Sequence, residues 1–381
     1  MKQLVVSELI ATARQATGLD DFGEPPLHPA LDQLVDSINA EAHLSDFGVE
    51  AQMQGMVSML VNRLNMTELL KRRPDVASAP IGTPIFVVGL PRSGTTKTQR
   101  IIAADSRLNY SAMWETLFPV PLSDAADDRE QRIAYAQAFG DALSKLPSMN
   151  AIHEFGPLVP DEDVIFMQHS FLSEAADPQM RVPSFIRWLR TQNRTAAYRQ
   201  HANWLRILAD AHGKTDEPWV LKGTYHGTQL DTLFEVLPNA KIVYCHRDPV
   251  DNIPSYCSLL TRLRSLLSSH VDNHELGREV LEYWSGHLCD MIAVRKRLPE
   301  GKVFDLPYTD IVNRLPETLE KIYAFAGIPL TDAARDQHQA WESENAIHKH
   351  GPHEYNVADY GLTNKQIADA CAEYREMFIK S

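Results

Sequence analysis

The segment PIFVVGLPRSGTTKT, Pro84 to Thr98, decides how this chain is read. Ile85, Phe86, Val87 and Val88 form a short run of β-branched and aromatic residues, the composition of a strand buried on both faces. Gly89 ends it. Between Gly89 and Gly94 the chain has to turn sharply, and Ser93-Gly94-Thr95-Thr96 then opens a helix. The first turn of a helix leaves backbone N–H groups without intrahelical partners, so a strand, a glycine turn and a helix in that order make a cradle for an anion.

The spacing of glycine, four residues, glycine equals the first part of a nucleoside-triphosphate loop, yet Thr95 stands where that loop places its lysine. The cation has moved to Arg92, inside the turn. A triphosphate loop uses its lysine on the β- and γ-phosphates and the next hydroxyl on Mg²⁺, so the displaced charge suits a different donor. Downstream, Glu217 to Leu260 has the most regular pattern in the chain. Trp219-Val220-Leu221 reads as a strand ending at Lys222, Leu230 to Leu237 as a helix stopped by Pro238-Asn239, and Lys241 to Cys245 as a second strand, which together make a βαβ unit. Asp248-Pro249 reads as an N-cap followed by proline in the first turn of a helix running to about Ser268. Arg247 closes the second strand and Ser255 follows on that helix eight residues later.

PRSGTT, Pro91 to Thr96, resembles the 5′-phosphosulfate loop of sulfotransferases that use 3′-phosphoadenosine 5′-phosphosulfate (PAPS), and Arg92 sides with the bacterial and Golgi members. The resemblance runs from about Pro84 to the C-terminus, with gaps. It implies that Arg92, Ser93, Gly94, Thr95 and Thr96 cradle the 5′ end of the nucleotide, and that Arg247 and Ser255 hold its 3′-phosphate. Lys222 matches a lysine placed near the transferring sulfuryl group, although many bacterial relatives have Lys-Ser-Pro where this chain has Lys222-Gly223-Thr224. Lys349-His350-Gly351, followed by His353, Tyr355 and the DYGLT turn, is similar to the C-terminal loop that closes over the nucleotide. Glu115 resembles the position of a catalytic glutamate in several bacterial sulfotransferases, with His153, beside Glu154, as the second candidate base. The implied reaction is in-line transfer of a sulfuryl group to a hydroxyl, with Arg92, Lys222 and Thr95 or Thr96 stabilising the developing charge and no metal required. Trp114, Phe118, Phe155, Phe166, Phe171 and Trp188 are candidates to line an apolar acceptor pocket, which favours a lipid, steroid, phenol or polyketide-like alcohol over a sugar.

The remaining residues bound the reading. With 37 basic and 50 acidic residues in 381, the formal charge is −13, which excludes a general nucleic-acid binder and leaves phosphate binding to local clusters. Cys245, Cys257, Cys289 and Cys371 lie far apart without metal-binding spacing, as expected of free thiols in a reducing compartment, and the interrupted N-terminus makes the cytoplasm the default location. No apolar run approaches membrane-spanning length. His348, His350 and His353 lack carboxylate or cysteine partners at regular spacing and read as a solvated or phosphate-facing loop. Lys97, where relatives carry an apolar residue, has no role in this reading.

The expected architecture is therefore an α/β fold of the P-loop type. Its central parallel sheet is flanked by helices, with a helical N-terminal extension over 1–80, a domain over 81–381 and helical insertions at about 122–215 forming a cap. The extension packs on the core or against a partner, a second copy of this chain included. A short helix capped by Thr67, a proline-rich loop over Ser111 to Pro121, an exposed helix over Asp124 to Ser144 and one helix from Arg187 to His212 are also expected. Further helices are expected over Glu275 to Leu298 and Pro316 to Phe325, with a last strand near Val303 to Leu306. Two rivals stand beside a sulfotransferase: a nucleotide kinase, which needs Mg²⁺ and a carboxylate to hold it, and a non-catalytic nucleotide-binding protein.

Overall fold

The computed structural model describes residues 2–121, 128–145, 155–345 and 355–379. Four parallel strands, β1 (Pro84–Gly89), β2 (Trp219–Lys222), β3 (Lys241–His246) and β4 (Val303–Pro307), form a sheet in the order β2-β1-β3-β4. All six residues of β1 are buried because helices cover both faces. On one face Phe86 and Val88 pack with Trp219, Leu221, Ile242 and Tyr244; on the other Ile85 and Val87 pack with Val220, Val243, Cys245 and Leu306. Val87 is in register with Lys222 and Gly89 with Cys245, so β1, β2 and β3 end along one edge. In open parallel sheets that edge is where ligands bind.

The principal helices are α1 (Val6–Thr17), α2 (Ala30–Glu41), α3 (Asp46–Arg72), α4 (Thr95–Ala103), α5 (Met113–Leu117), α6 (Arg129–Ser144), α7 (Pro183–Leu189), α8 (Thr195–His212), α9 (Leu230–Val236), α10 (Pro249–Leu267), α11 (Asn273–Arg295), α12 (Leu315–Ala326), α13 (Asp332–Glu344) and α14 (Ala372–Phe378). Ile101 and Ile102 of α4 and Leu319 and Ile322 of α12 cover the Val87 face. Leu9, Leu34, Leu60 and Leu64 of α1 to α3 join the cluster on the Phe86 face, so the N-terminal helices pack on the core. The βαβ reading of β2-α9-β3 holds, with β1 lying between its two strands. Asp248 caps α10 by accepting the Val250 N–H at 3.0 Å, as its side chain and the following proline dictate. Among the described residues no helix is long and apolar enough to cross a membrane.

Three local expectations are corrected. Thr67 caps nothing: α3 runs unbroken for 27 residues from its Ser45 cap, whose hydroxyl accepts the Gly48 N–H. The Ser111–Pro121 stretch contains α5, because the Glu115 carboxylate reaches back to the Ala112 N–H at 2.9 Å and closes the first turn. The single helix over Arg187 to His212 is two helices. Where the second begins, Asn193 Oδ1 accepts the Thr195 N–H at 2.8 Å, and Arg194 is drawn inward to Glu174 at 2.5 Å, with the Arg194 and Glu174 side chains nearly inaccessible. Of the helix expected over Asp124 to Ser144, the described part begins at Arg129 and leaves Tyr135 and Phe139 exposed.

Candidate active site

The turn after β1 is built for close backbone approach. Gly89 has φ 148° and Gly94 φ 88°, and a Cβ at Gly89 would lie 2.5 Å from the Cys245 carbonyl oxygen, so only glycine fits there. Arg92 also takes a left-handed conformation, φ 70°, an unfavourable state for a residue bearing a Cβ that the surrounding contacts must hold. Ser93 is fully buried and donates to the Leu90 carbonyl at 2.7 Å, tying the loop to itself. Gly94 precedes α4, whose first turn contains Thr95, Thr96 and Lys97, with Thr95 buried. The N–H groups of that turn face the ligand edge of the sheet.

Arg92 comes together with Arg247 and Ser255 although it lies more than 150 residues before them. Arg92 Nε donates to Ser255 Oγ at 3.3 Å, and an Arg247 guanidinium nitrogen donates to the Arg92 carbonyl at 3.1 Å. The Arg247 guanidinium lies 4.6 Å from the ring centre of Tyr308, which follows β4 and also touches Gly94. Burial, reinforced by the Arg247 charge, pushes the Arg92 guanidinium below its ordinary range. Two like charges held together this way are stabilised by an anion between them.

Lys222 ends β2, buried, and its ammonium meets Glu162 Oε1 at 2.5 Å. Glu162 sits between Asp161 and Asp163, and the Asp163 N–H donates to the Lys222 carbonyl at 3.0 Å, so this acidic segment is docked on the strand end. Below it, fully buried Asp163 accepts from His201 Nε2 at 2.7 Å and His226 Nε2 at 3.1 Å, while Tyr198 meets the other nitrogen of His226 at 2.7 Å. Burial raises the Asp163 carboxyl, but the two imidazoles outweigh it and hold the group far below the usual carboxylate range. This cluster explains the departure from Lys-Ser-Pro. A Cβ at Gly223 would lie 2.4 Å from Val164 Cγ1 and 2.5 Å from His226 Cδ2. Gly223→Ala is therefore expected to cost about 1–3 kcal/mol through overpacking, read as a lower urea midpoint with unchanged slope.

Glu115 is buried in a different setting. Its Oε2 accepts the Ala112 N–H, and His212 bridges its Oε1, at 2.7 Å, to Asn109 Oδ1, at 2.9 Å. The structure thus gathers Arg92, Ser93, Gly94, Thr95, Thr96, Arg247 and Ser255 at the loop and Lys222 at the adjacent strand end, and gives both Glu115 oxygens partners elsewhere. His153, Lys349, His350 and Gly351 lie outside the described residues. Lys97 gains a role, pairing with Glu342 of α13 at 2.8 Å and fastening that helix to α4. The aromatic residues do not form one pocket: Phe166 and Phe171 belong to the main core, whereas Trp114 packs with Met113 and Ala136 under the Arg132 guanidinium, 4.8 Å from its ring. Sequence reasoning missed Glu162, Asp163, Tyr308, His201 and His226 as parts of the site. The acidic triplet Asp161-Glu162-Asp163 after Pro160 was the available signal for the first two.

Over 346 residues the chain is 20% identical to an omega-hydroxy-beta-dihydromenaquinone-9 sulfotransferase of Mycobacterium bovis, covering 85% of this chain and 83% of that one. The fold superimposes on the crystal structure of sulfotransferase STF1 from Mycobacterium tuberculosis with a TM-score of 0.81 and 27% identity, over 97% of this chain and 99% of that one. With sulfotransferase STF9 from Mycobacterium avium the TM-score is 0.87 at 24% identity, over 99% and 97% of the two chains. Residues 84–332, from the first residue of β1 to the start of α13, match the sulfotransferase family, and the chain belongs to it.

Proposed function

We propose that this sulfotransferase uses PAPS as donor and transfers its sulfuryl group to the hydroxyl of a small, largely apolar acceptor. The observation that carries the donor assignment is the joining of Arg92, Arg247 and Ser255 at the phosphate cradle. The donor supplies an activated sulfuryl group, whose S–O bond to the 5′-phosphate breaks as the bond to the acceptor oxygen forms. Arg92 and the α4 N-terminus bind the 5′ side, Arg247 and Ser255 the 3′-phosphate, and Lys222 with Thr95 or Thr96 meets the charge that develops on the leaving oxygen. Lys349, His350 and Gly351 are proposed to close over the nucleotide.

A carboxylate takes the acceptor's proton. Glu162 is placed first for this role because it sits on the ammonium of Lys222, whereas the Glu115 oxygens are engaged with Ala112 and His212. Glu162 was not among the bases expected from the sequence, and Glu115 and then His153 stand behind it in their expected order. The apolar acceptor is supported by the relative whose name gives a hydroxylated dihydromenaquinone, and by the exposed Tyr135 and Phe139 on α6 with Leu158 exposed beyond it.

The deciding experiment is calorimetry with adenosine 3′,5′-bisphosphate and ATP. The bisphosphate is expected to bind more tightly, and Arg247→Ala is expected to weaken it by about 1.5–3 kcal/mol, roughly tenfold to over a hundredfold. Equal affinity for both nucleotides, or no loss in the variant, removes the donor assignment. In the same preparation turnover is expected to survive EDTA, which would abolish a kinase reaction.

A further inference from the structure

Arg247 is the middle of three residues that leave the end of β3, and both of its neighbours are held by a helix more than 120 residues downstream. On one side, His246 bridges Tyr374 Oη at 2.9 Å and Asp305 Oδ1 at 2.7 Å, and its ring stacks on Phe378 with centroids 4.3 Å apart and planes at 6°. Asp305 is itself paired with Arg295. On the other side, Arg375 forks onto Asp248, with Nε 3.0 Å from Oδ1 and a terminal nitrogen 2.9 Å from Oδ2. Asp248 keeps its bond to the Val250 N–H, so the same carboxylate is fixed by the start of α10 and by α14.

We infer that α14 is a positioning element for donor recognition, with Tyr374, Arg375 and Phe378 fixing the backbone on either side of Arg247 so that its guanidinium is aimed into the cradle before the nucleotide arrives. Nothing in α14 needs to touch the nucleotide for this. A fork whose root is already ordered loses less freedom on binding, and that saving appears only in interactions that the fork makes. The inference rests on the assignment of Arg247 to the 3′-phosphate, and it makes a distinction that mere stabilisation of the fold does not. Loosening α14 should weaken recognition of the 3′-phosphate more than that of the 5′ end, which Arg92 and the first turn of α4 bind.

Calorimetry of the full chain with adenosine 3′,5′-bisphosphate and with adenosine 5′-phosphosulfate, which lacks the 3′-phosphate, tests it. Arg375 is partly exposed, so Arg375→Ala removes a surface fork without opening the core, and Tyr374→Phe removes only a hydroxyl. Each is expected to weaken the bisphosphate about tenfold and the phosphosulfate less than about twofold, with partial recovery in Arg375→Lys. In an Arg247→Ala background, Arg375→Ala is expected to have no further effect on either nucleotide. Equal losses for both nucleotides, additive losses in the double variant, or no loss at all in a wild type that prefers the bisphosphate would overturn the positioning role alone. A wild type without that preference overturns the assignment of Arg247, and the inference falls with it.

Discussion

Glu162→Gln is expected to lower kcat about 10²–10⁴-fold while adenosine 3′,5′-bisphosphate binds at least as tightly as before. A hydroxyl acceptor is a poor nucleophile until its proton has somewhere to go, and glutamine keeps the shape of the side chain while removing the basic site. Nucleotide binding should hold because the substitution also removes a negative charge beside Lys222, where an anionic donor has to come. Glu115→Gln is expected to behave differently, losing about 1–3 kcal/mol of stability as the bridge through His212 to Asn109 is broken, with a smaller loss of kcat. If Glu162→Gln keeps near-normal turnover while Glu115→Gln or His153→Ala is inactive but folded, the base is one of the latter two.

Lys222→Met is the second large effect: kcat is expected to fall about 10²–10³-fold, the scale of removing one donor aimed at developing charge. Methionine fills the same buried channel without the ammonium, so packing at the end of β2 should survive. Affinity for adenosine 3′,5′-bisphosphate is expected to fall as well, since its 5′-phosphate carries the leaving oxygen with its charge fully developed. A variant that weakens substrate and product nucleotides equally and leaves kcat intact would show Lys222 to be a uniform binder, with no part in the transition state.

How much of this was readable before the structure depends on the separation of the interacting residues. The strands were legible because Ile85 to Val88, Trp219 to Leu221 and Lys241 to Cys245 carry their burial in consecutive apolar residues, and the cap of α10 because Asp248 and Pro249 act on their immediate neighbours. The phosphate loop was legible for the same reason. Nothing local announced that Asp163 would take two histidines 38 and 63 positions away, or that His226 would occupy the space beside Gly223. The break between α7 and α8 was hidden by an apolar period that continues across it, and only the pairing of Arg194 with Glu174 shows why the chain turns inward there. The aromatic residues chosen as a pocket failed as a group because hydrophobicity says that a ring is buried, but not against which neighbours.

The order β2-β1-β3 gives the donor a direction. Lys222 and Arg247 leave the two strands on either side of β1, so their roots stand about two strand spacings apart, on the order of 10 Å. On the proposed donor assignment the sheet works as a gauge laid across the nucleotide, with the ribose end read toward β4 and the reacting end delivered beside β2. A molecule approaching that margin meets the acidic segment and α5, and among the described residues the sheet has no strand beyond β2. On this reading the catalytic groups gauge only the first few atoms around the hydroxyl, and the length of the acceptor's tail is left to whatever lies outside the sheet. Homologues could then exchange short alcohols for long ones by altering the segment between β1 and β2 while leaving the donor gauge intact.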